Sequence, residues 1–238
     1  EDKDFLLKES FDLGIVVAYG QILPKYVLNI AKFGFINIHA SLLPKYRGAA
    51  PIQRAIMNSE KVTGISIMKI NKEMDAGPIC NQYEIDIDDK DNFISLSKKL
   101  SYLSSEKIIE NINLVLSNKV KFREQAHRDA TYAKKIQKLE GKINWNENAY
   151  NIHAKVKGLF PNPGAWFEFK NERYKILKSI VIKIKGEPGK VLDHKFTIAC
   201  GKNSIQVTKI QRQGRTPQDA KDFLLGSKIK KGCILNNE

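Results

Sequence analysis

Asn37 and His39 are the residues whose type and spacing most directly allow chemistry. They lie at the carboxyl end of a short apolar run, Phe35, Ile36 and Ile38, which is long enough for a buried strand and too short for a helix. Two positions apart on a strand, their side chains point to the same side. Open α/β sheets bind ligands outside the carboxyl ends of their strands. An amide and an imidazole at such an end, followed by a long loop, therefore stand where a reacting group would be held. A plainer reading stands beside this one, because an Asn-x-His step at a strand end is often only a satisfied polar pair. The three cysteines, Cys80, Cys200 and Cys233, are far from the pair and show no paired spacing. That argues against a metal site or disulfide framework and for a reducing compartment.

The elements that must position this pair follow from pattern. Leu13 to Ala18 is a continuous apolar run, as for a strand covered on both faces. Tyr19-Gly20-Gln21 turns the chain, and Pro24 can open a short helix. The strand of Phe35 to Ile38 leads into Ser41-Leu42-Leu43-Pro44, a basic Lys45-Tyr46-Arg47, Gly48 and a helix beginning near Pro51. Leu42 and Leu43 could form a buried plug. Gly64 to Met68 reads as a third strand and Ile79 to Ile85 as a fourth. The loop between them, Asn71 to Gly77, carries Asp75, which by itself reads as a capping or solvated carboxylate. Asp86 to Asp91 reads as a solvated acidic turn. Phe93, Leu96, Leu100, Leu103, Ile108 and Ile109 recur at roughly helical spacing, giving a helix that covers the sheet.

The second half has a different character. Residues 1–120 hold 15 Lys/Arg and 15 Asp/Glu, whereas residues 121–238 hold 25 and 11, so the whole formal net charge of +14 lies in the second half. Such asymmetry points to contact with a polyanion by one half only, with a lysine-rich surface as the plainer explanation. Residues 119 to 140 read as a charged connector, in which His127 has no visible partner. A short helix from Ala149 to Lys157 carries His153. Short alternating runs follow at Ala165–Phe169, Tyr174–Ile184, Lys190–Leu192, Phe196–Ala199 and Ser204–Ile210, which suggests a small barrel or sandwich. Thr216-Pro217-Gln218-Asp219 reads as a helix start with Pro217 at the first helical position, and Gly226 as its end. No run of eighteen apolar residues exists to span a membrane.

The string Asn37-x-His39, Ser41-Leu42-Leu43-Pro44, Arg47-Gly48-Ala49-Ala50-Pro51-Ile52-Gln53 resembles the 10-formyltetrahydrofolate-dependent formyltransferases, most closely the branch acting on methionyl-tRNA. Val16 to Pro24, Met74-Asp75-Ala76-Gly77-Pro78 and Thr131 to Ile136 extend the resemblance. It implies a Rossmann-like α/β domain followed by a β-barrel resembling an oligonucleotide-binding fold, with bounds of 1–118, a linker at 119–137, and 138–238. It also implies several strands and helices ahead of the first strand. As Glu1 is not a start methionine, the chain is expected to lack an N-terminal segment of its parent.

The resemblance further implies the chemistry. Asn37, His39 and Asp75 would surround a formyl group passing from 10-formyltetrahydrofolate to the α-amino group of initiator methionyl-tRNA. Asn37 and a protonated His39 would donate hydrogen bonds to the formyl oxygen, and Asp75 would hold His39 charged and assist proton movement. Ser41, Leu42, Leu43 and Pro44, with Ala18, Tyr19, Gly20 and Leu23 in the span Ala18 to Leu23, would line the folate site. Arg47 would either contact the tRNA end or anchor its loop. The expected protein is a cytoplasmic monomer with tRNA and folate as partners, no metal and no membrane. A small-molecule formyltransferase and a non-catalytic RNA-binding fragment are the rival readings.

Overall fold

The computed structural model describes residues 11–20 and 23–235. The chain divides into two compact units. The first takes in the chain to Arg54, Lys61–Asp89 and Ser95–Lys135, and the second Ala55–Glu60, Lys90–Ile94 and the chain from Ile136.

The first unit is built on a four-stranded sheet of β1 (Gly14–Val16), β2 (Phe35–His39), β3 (Val62–Lys69) and β4 (Ile79–Asp86), in that spatial order. β1 runs parallel to β2, while β2–β3 and β3–β4 are antiparallel. A short helix, α1 (Lys25–Leu28), lies between β1 and β2, with Pro24 capping it rather than entering it. β3 is the central strand, buried from Thr63 through Met68, as its run of β-branched and apolar residues requires. β1 differs from expectation. It is only three residues long, and Ile15 is exposed along with Val17 beyond it, because β1 pairs on one edge only among the described residues.

α2 (Pro51–Met57) follows the loop after β2, and α3 (Phe93–Leu116) follows β4. The buried positions of α3 are Leu96, Leu100, Asn111 and Val115. Ile109, counted in sequence with the covering face, is 62 % exposed, because it sits next to Ile108 and two adjacent helical positions cannot share a face. Ile108, Ile112 and Val115 pack with Ile36 and Ile67 of the sheet. The buried polar Asn111 is fully used. Its Nδ2 donates to Tyr83 Oη (2.9 Å) and to the Lys107 carbonyl (2.8 Å), and its Oδ1 accepts from Asn81 Nδ2 (2.7 Å). The acidic turn before α3 is only partly solvated: Asp88 pairs with Lys99 and Asp89 with Lys61, and Asp91 is buried.

The stretch after α3 is a docked segment rather than a loose connector. Arg123 and Ile79 exchange backbone hydrogen bonds of 2.9 and 2.8 Å. Arg47 N donates to the Thr131 carbonyl (2.8 Å), and Ala133 N donates to the Arg47 carbonyl (2.7 Å). Ala133 is completely buried.

The second unit carries α4 (Ala149–Leu159) and a curled antiparallel sheet of β5 (Ala165–Phe169), β6 (Glu172–Ile182), β8 (Ser204–Arg212) and β7 (Thr197–Ala199), with β9 (Gln218–Asp219) on β8. Asn148 caps α4 by accepting from Tyr150 N. Phe167 stacks on Tyr174 at 5.4 Å and meets Trp145 edge-on at 5.7 Å. Rings of this size remove a large apolar area from water and dominate a small core. Lys190–Leu192 forms isolated bridges instead of a strand. Thr216–Asp219 leads into a helix later than expected: Gln218 and Asp219 pair with Ile210 and Lys209, Asp219 is the N-cap, and α5 (Ala220–Gly226) begins after it, so Pro217 lies outside the helix. His153 of α4 meets Ser179 Oγ at 3.0 Å.

Candidate active site

The register of β2 against β3 sets the site. Asn37 lies opposite Met68, and His39 opposite Ser66. Ser66 is completely buried, and its hydroxyl organises the loop that follows β2. It donates to the Ser41 carbonyl (2.7 Å) and accepts from Leu43 N (3.0 Å) and from Gln82 Nε2 (2.9 Å). Gln82 Nε2 also donates to the Leu43 carbonyl at 2.8 Å. Neither Ser66 nor Gln82 was legible as part of the site, since each falls within an ordinary strand pattern.

These bonds decide where the loop residues face. Ser41 is fully buried and its Oγ donates to the Lys45 carbonyl (2.7 Å). Leu43 is buried against Met68 and Ile79, which is the plug arrangement. Of the four loop residues expected at a folate site, Ser41 and Leu43 are therefore turned into the protein, while Leu42 and Pro44 keep partly open surfaces. Ala18, Tyr19 and Gly20 are exposed, Ala18 and Gly20 with positive φ of 49° and 72°, and Leu23 is half-buried. Gln21 and Ile22 of that span lie outside the described residues.

His39 is buried, hydrogen-bonded through Nε2 and facing a carboxylate with Nδ1. Its Nε2 lies 2.9 Å from the Tyr46 carbonyl oxygen, and its Nδ1 lies 3.6 Å from Oδ2 of Asp75. A carbonyl oxygen only accepts, so Nε2 must carry a hydrogen. The neutral ring then presents a lone pair at Nδ1 and the protonated ring an N–H, in either case toward Asp75. Asp75 sits in the left-handed region with φ of 50° and keeps 18 % of its side chain exposed. Its Oδ2 accepts from Gly48 N at 2.8 Å. Gly48 itself has φ of 113°, and a Cβ there would come within 2.9 Å of the Ala133 carbonyl oxygen. Among the described residues the side-chain amide of Asn37 makes no hydrogen bond, which leaves it available beside His39. The three residues singled out from sequence are thus supplied by one strand end and one neighbouring loop.

Arg47 is placed as an anchor. It is 2 % exposed, and its Nε and Nη2 both donate to Oε1 of Gln125, at 3.0 and 2.7 Å. A guanidinium so committed is turned into the protein, as the loop-anchoring alternative for Arg47 expects. His127, expected to be unpartnered, lies 3.5 Å from Arg47 Nη1 through its Nδ1. Gln125 escaped sequence reading because it sits in a charged stretch without periodicity. Among the described residues no group of three His, Cys, Asp or Glu is arranged to hold a metal ion, and no helix is long and apolar enough to cross a membrane.

Two family models match the chain: formyl transferase over residues 2–112, and the formyl transferase C-terminal domain over residues 135–228. The chain is 56 % identical over all 238 residues to the methionyl-tRNA formyltransferase of Pelagibacter ubique, covering 77 % of that protein. It is 44 % identical over 223 residues to the enzyme of the same name from Thermodesulfovibrio yellowstonii, covering 93 % of this chain and 72 % of that one. Among solved structures, HypX from Aquifex aeolicus in complex with tetrahydrofolic acid superposes with a TM-score of 0.73 at 17 % identity. The match covers 97 % of this chain and 41 % of that one, so the chain spans about two fifths of HypX.

Proposed function

The chain belongs to the formyl transferase family, and on that premise we propose that it transfers the formyl group of 10-formyltetrahydrofolate to the α-amino group of methionine on initiator tRNA. The observation that carries this reading is the meeting of His39 and Asp75 beside the uncommitted amide of Asn37, at a strand end in a chain 56 % identical to a methionyl-tRNA formyltransferase. Residues 1–118 form the catalytic domain, 119–137 the joining segment and 138–238 the tRNA-binding barrel. The net charge of +14 in residues 121–238 suits a phosphate backbone. The protein acts in the cytoplasm as a monomer.

The folate site fits the surfaces available. The exposed turn of Ala18, Tyr19 and Gly20, with Leu23 and the partly open faces of Leu42 and Pro44, would hold a flat ring system, while Ser41 and Leu43 shape the loop from within. Bound there, 10-formyltetrahydrofolate supplies an activated formyl group. The amide of Asn37 donates one hydrogen bond to the formyl oxygen. His39 donates a second through Nδ1, since its Nε2–H is held by Tyr46. Each such donor is worth about 10²–10³ in rate where charge develops on oxygen. The Asp75 carboxylate faces His39 Nδ1 and is the base placed to take the proton that the attacking amine gives up as its nitrogen bonds the formyl carbon; that proton passes to N10 as the formyl carbon–N10 bond breaks and tetrahydrofolate leaves. Its hydrogen bond from Gly48 N keeps Oδ2 oriented without neutralising it.

The test is an acceptor comparison on the native protein with 10-formyltetrahydrofolate as donor. Transfer to methionyl-tRNA, with free methionine and amino-sugar nucleotides inert, is the expected result. Transfer to an amino-sugar nucleotide alone would overturn the assigned acceptor.

A further inference from the structure

Gln125 has four hydrogen-bonding valences and all four are used. Its Oε1 accepts from Arg47 Nε (3.0 Å) and Arg47 Nη2 (2.7 Å), and its Nε2 donates to the backbone carbonyls of Asp75 (2.9 Å) and Gly77 (2.7 Å). The residue is 5 % exposed. The orientation of its amide is not ambiguous, because a guanidinium only donates and a carbonyl only accepts. One side chain therefore ties the loop after β2, through Arg47, to the loop that bears Asp75.

The Asp75 loop needs such a tie. Asp75 holds φ of 50°, in the left-handed region that Asp tolerates better than most non-glycine residues but that the local backbone must still be held in. Gly77 lies so close to β3 that a Cβ would meet the Lys69 carbonyl oxygen at 1.8 Å. Met74, the residue before Asp75, is 60 % exposed and supplies little packing. Between an exposed side chain and a glycine, the two hydrogen bonds from Gln125 hold the carbonyl groups on either side of Ala76.

We propose that Gln125 is a positioning residue for formyl transfer, fixing the Asp75 carboxylate relative to His39 through the backbone of the Asp75 loop. The proposal rests on the formyl-transfer function assigned above. It concerns a residue that touches neither reacting group.

Gln125→Glu separates the two sides of the bridge. A carboxylate still accepts from Arg47, with added charge complementarity, but it has no hydrogen to give to the Asp75 and Gly77 carbonyls. Gln125→Met removes both sides at similar length and serves as the harsher variant. Hydrogen exchange at the Gly48 amide reads the carboxylate position without any assay of activity, because that N–H donates to Asp75 Oδ2. In Gln125→Glu, Gly48 is expected to exchange at least about 10-fold faster while the β3 amides keep their protection, the pattern of a local opening. kcat for formyl transfer is expected to fall by about 10², as misplacement of a reacting group by an ångström costs, with KM for both substrates unchanged within about 2-fold. Combined with Asp75→Asn, the variant should lower kcat no further, since the two changes act through one group. Unchanged Gly48 exchange, a loss of protection shared by β3, or a full additional loss in the Asp75→Asn background would each overturn the proposal. Absence of transfer to methionyl-tRNA by the native protein would overturn the assigned acceptor instead, and the Gly48 exchange in Gln125→Glu would still decide the positioning role.

Discussion

Nδ1 of His39 stands 3.6 Å from Oδ2 of Asp75, across a gap just too long for a hydrogen bond, while the other ring nitrogen is held at 2.9 Å by the carbonyl oxygen of Tyr46. The ring is therefore fixed in plane and direction by a backbone group, and only the nitrogen facing the carboxylate is free to act. Nδ1 is the ring nitrogen left facing Asp75 without a hydrogen bond to it. This division of labour differs from a freely rotating histidine, and it makes the site sensitive to where Tyr46 and Gly48 place the loop.

The donor pair should separate catalysis from stability. Asn37→Ala is expected to lower kcat by about 10²–10³, with unfolding free energy changed by no more than about 0.5 kcal/mol, because the amide bonds no other described side chain. A large fall in Tm with modest loss of rate would return Asn37 to the role of an ordinary strand residue. Steady-state kinetics beside a calorimetric melt settles the matter.

Gly48 joins the site to the docked segment. Gly48→Ala forces a side chain into φ of 113° and to within 2.9 Å of the Ala133 carbonyl oxygen. The expected cost is about 1–3 kcal/mol of stability, together with a fall in kcat as the donor to Asp75 shifts. Chemical denaturation and single-turnover rates measured on the same preparation test both parts.

Two cysteines should be silent until the protein opens. Burial pushes the thiols of Cys80 and Cys200 up to about 11. At pH 8 each is then about one part in a thousand thiolate, the reactive form. Iodoacetamide at that pH is expected to leave both unmodified in the native state and to label both in denaturant, read by peptide mass. The linkage has a definite sign. The folded state holds these protons more tightly than the unfolded chain, so the stability they contribute is complete below about pH 9 and is lost as pH rises toward 11.

The excess charge of the second half makes tRNA affinity a function of salt. If half a dozen phosphates are contacted, Kd should rise by about 10³ between 50 and 200 mM salt. Filter binding across that range measures the slope, and a flat response would remove phosphate contact as the source of affinity.

How much of this was legible in sequence divides along physical lines. β2, β3, β4, α2 and β5 follow from local pattern, because burial imposes a period on the side chains that face the core. Asn37 and His39 stood out by strand parity, and Asp75 only by resemblance, since a loop carboxylate carries no periodic signal. The parts that were missed depend on contacts far apart in sequence. Arg47 reads equally as a contact for the tRNA end or a loop anchor, and its partner Gln125, 78 positions away, leaves no local signal that would choose between them. Residues 119–140 read as a connector because the backbone bonds that dock part of the stretch to Arg47 and Ile79 leave no trace in composition. Thr-Pro-Gln-Asp satisfies the local preferences of a cap, and Asp219 does stand at the N-cap of α5, but the pairing of Gln218 and Asp219 with β8 delays the helix and has no local signal.

Asp75→Asn is the most direct test of the central claim. The change keeps the shape, and an amide oxygen can still accept from Gly48 N, but it removes the charge that faces His39. The measurement is single-turnover transfer of formyl from 10-formyltetrahydrofolate to methionyl-tRNA, with tRNA binding measured in parallel. A rate lowered by about 10² or more with tRNA affinity preserved is the predicted result. A variant that transfers at near the native rate would show that the His39–Asp75 pair does not drive the reaction.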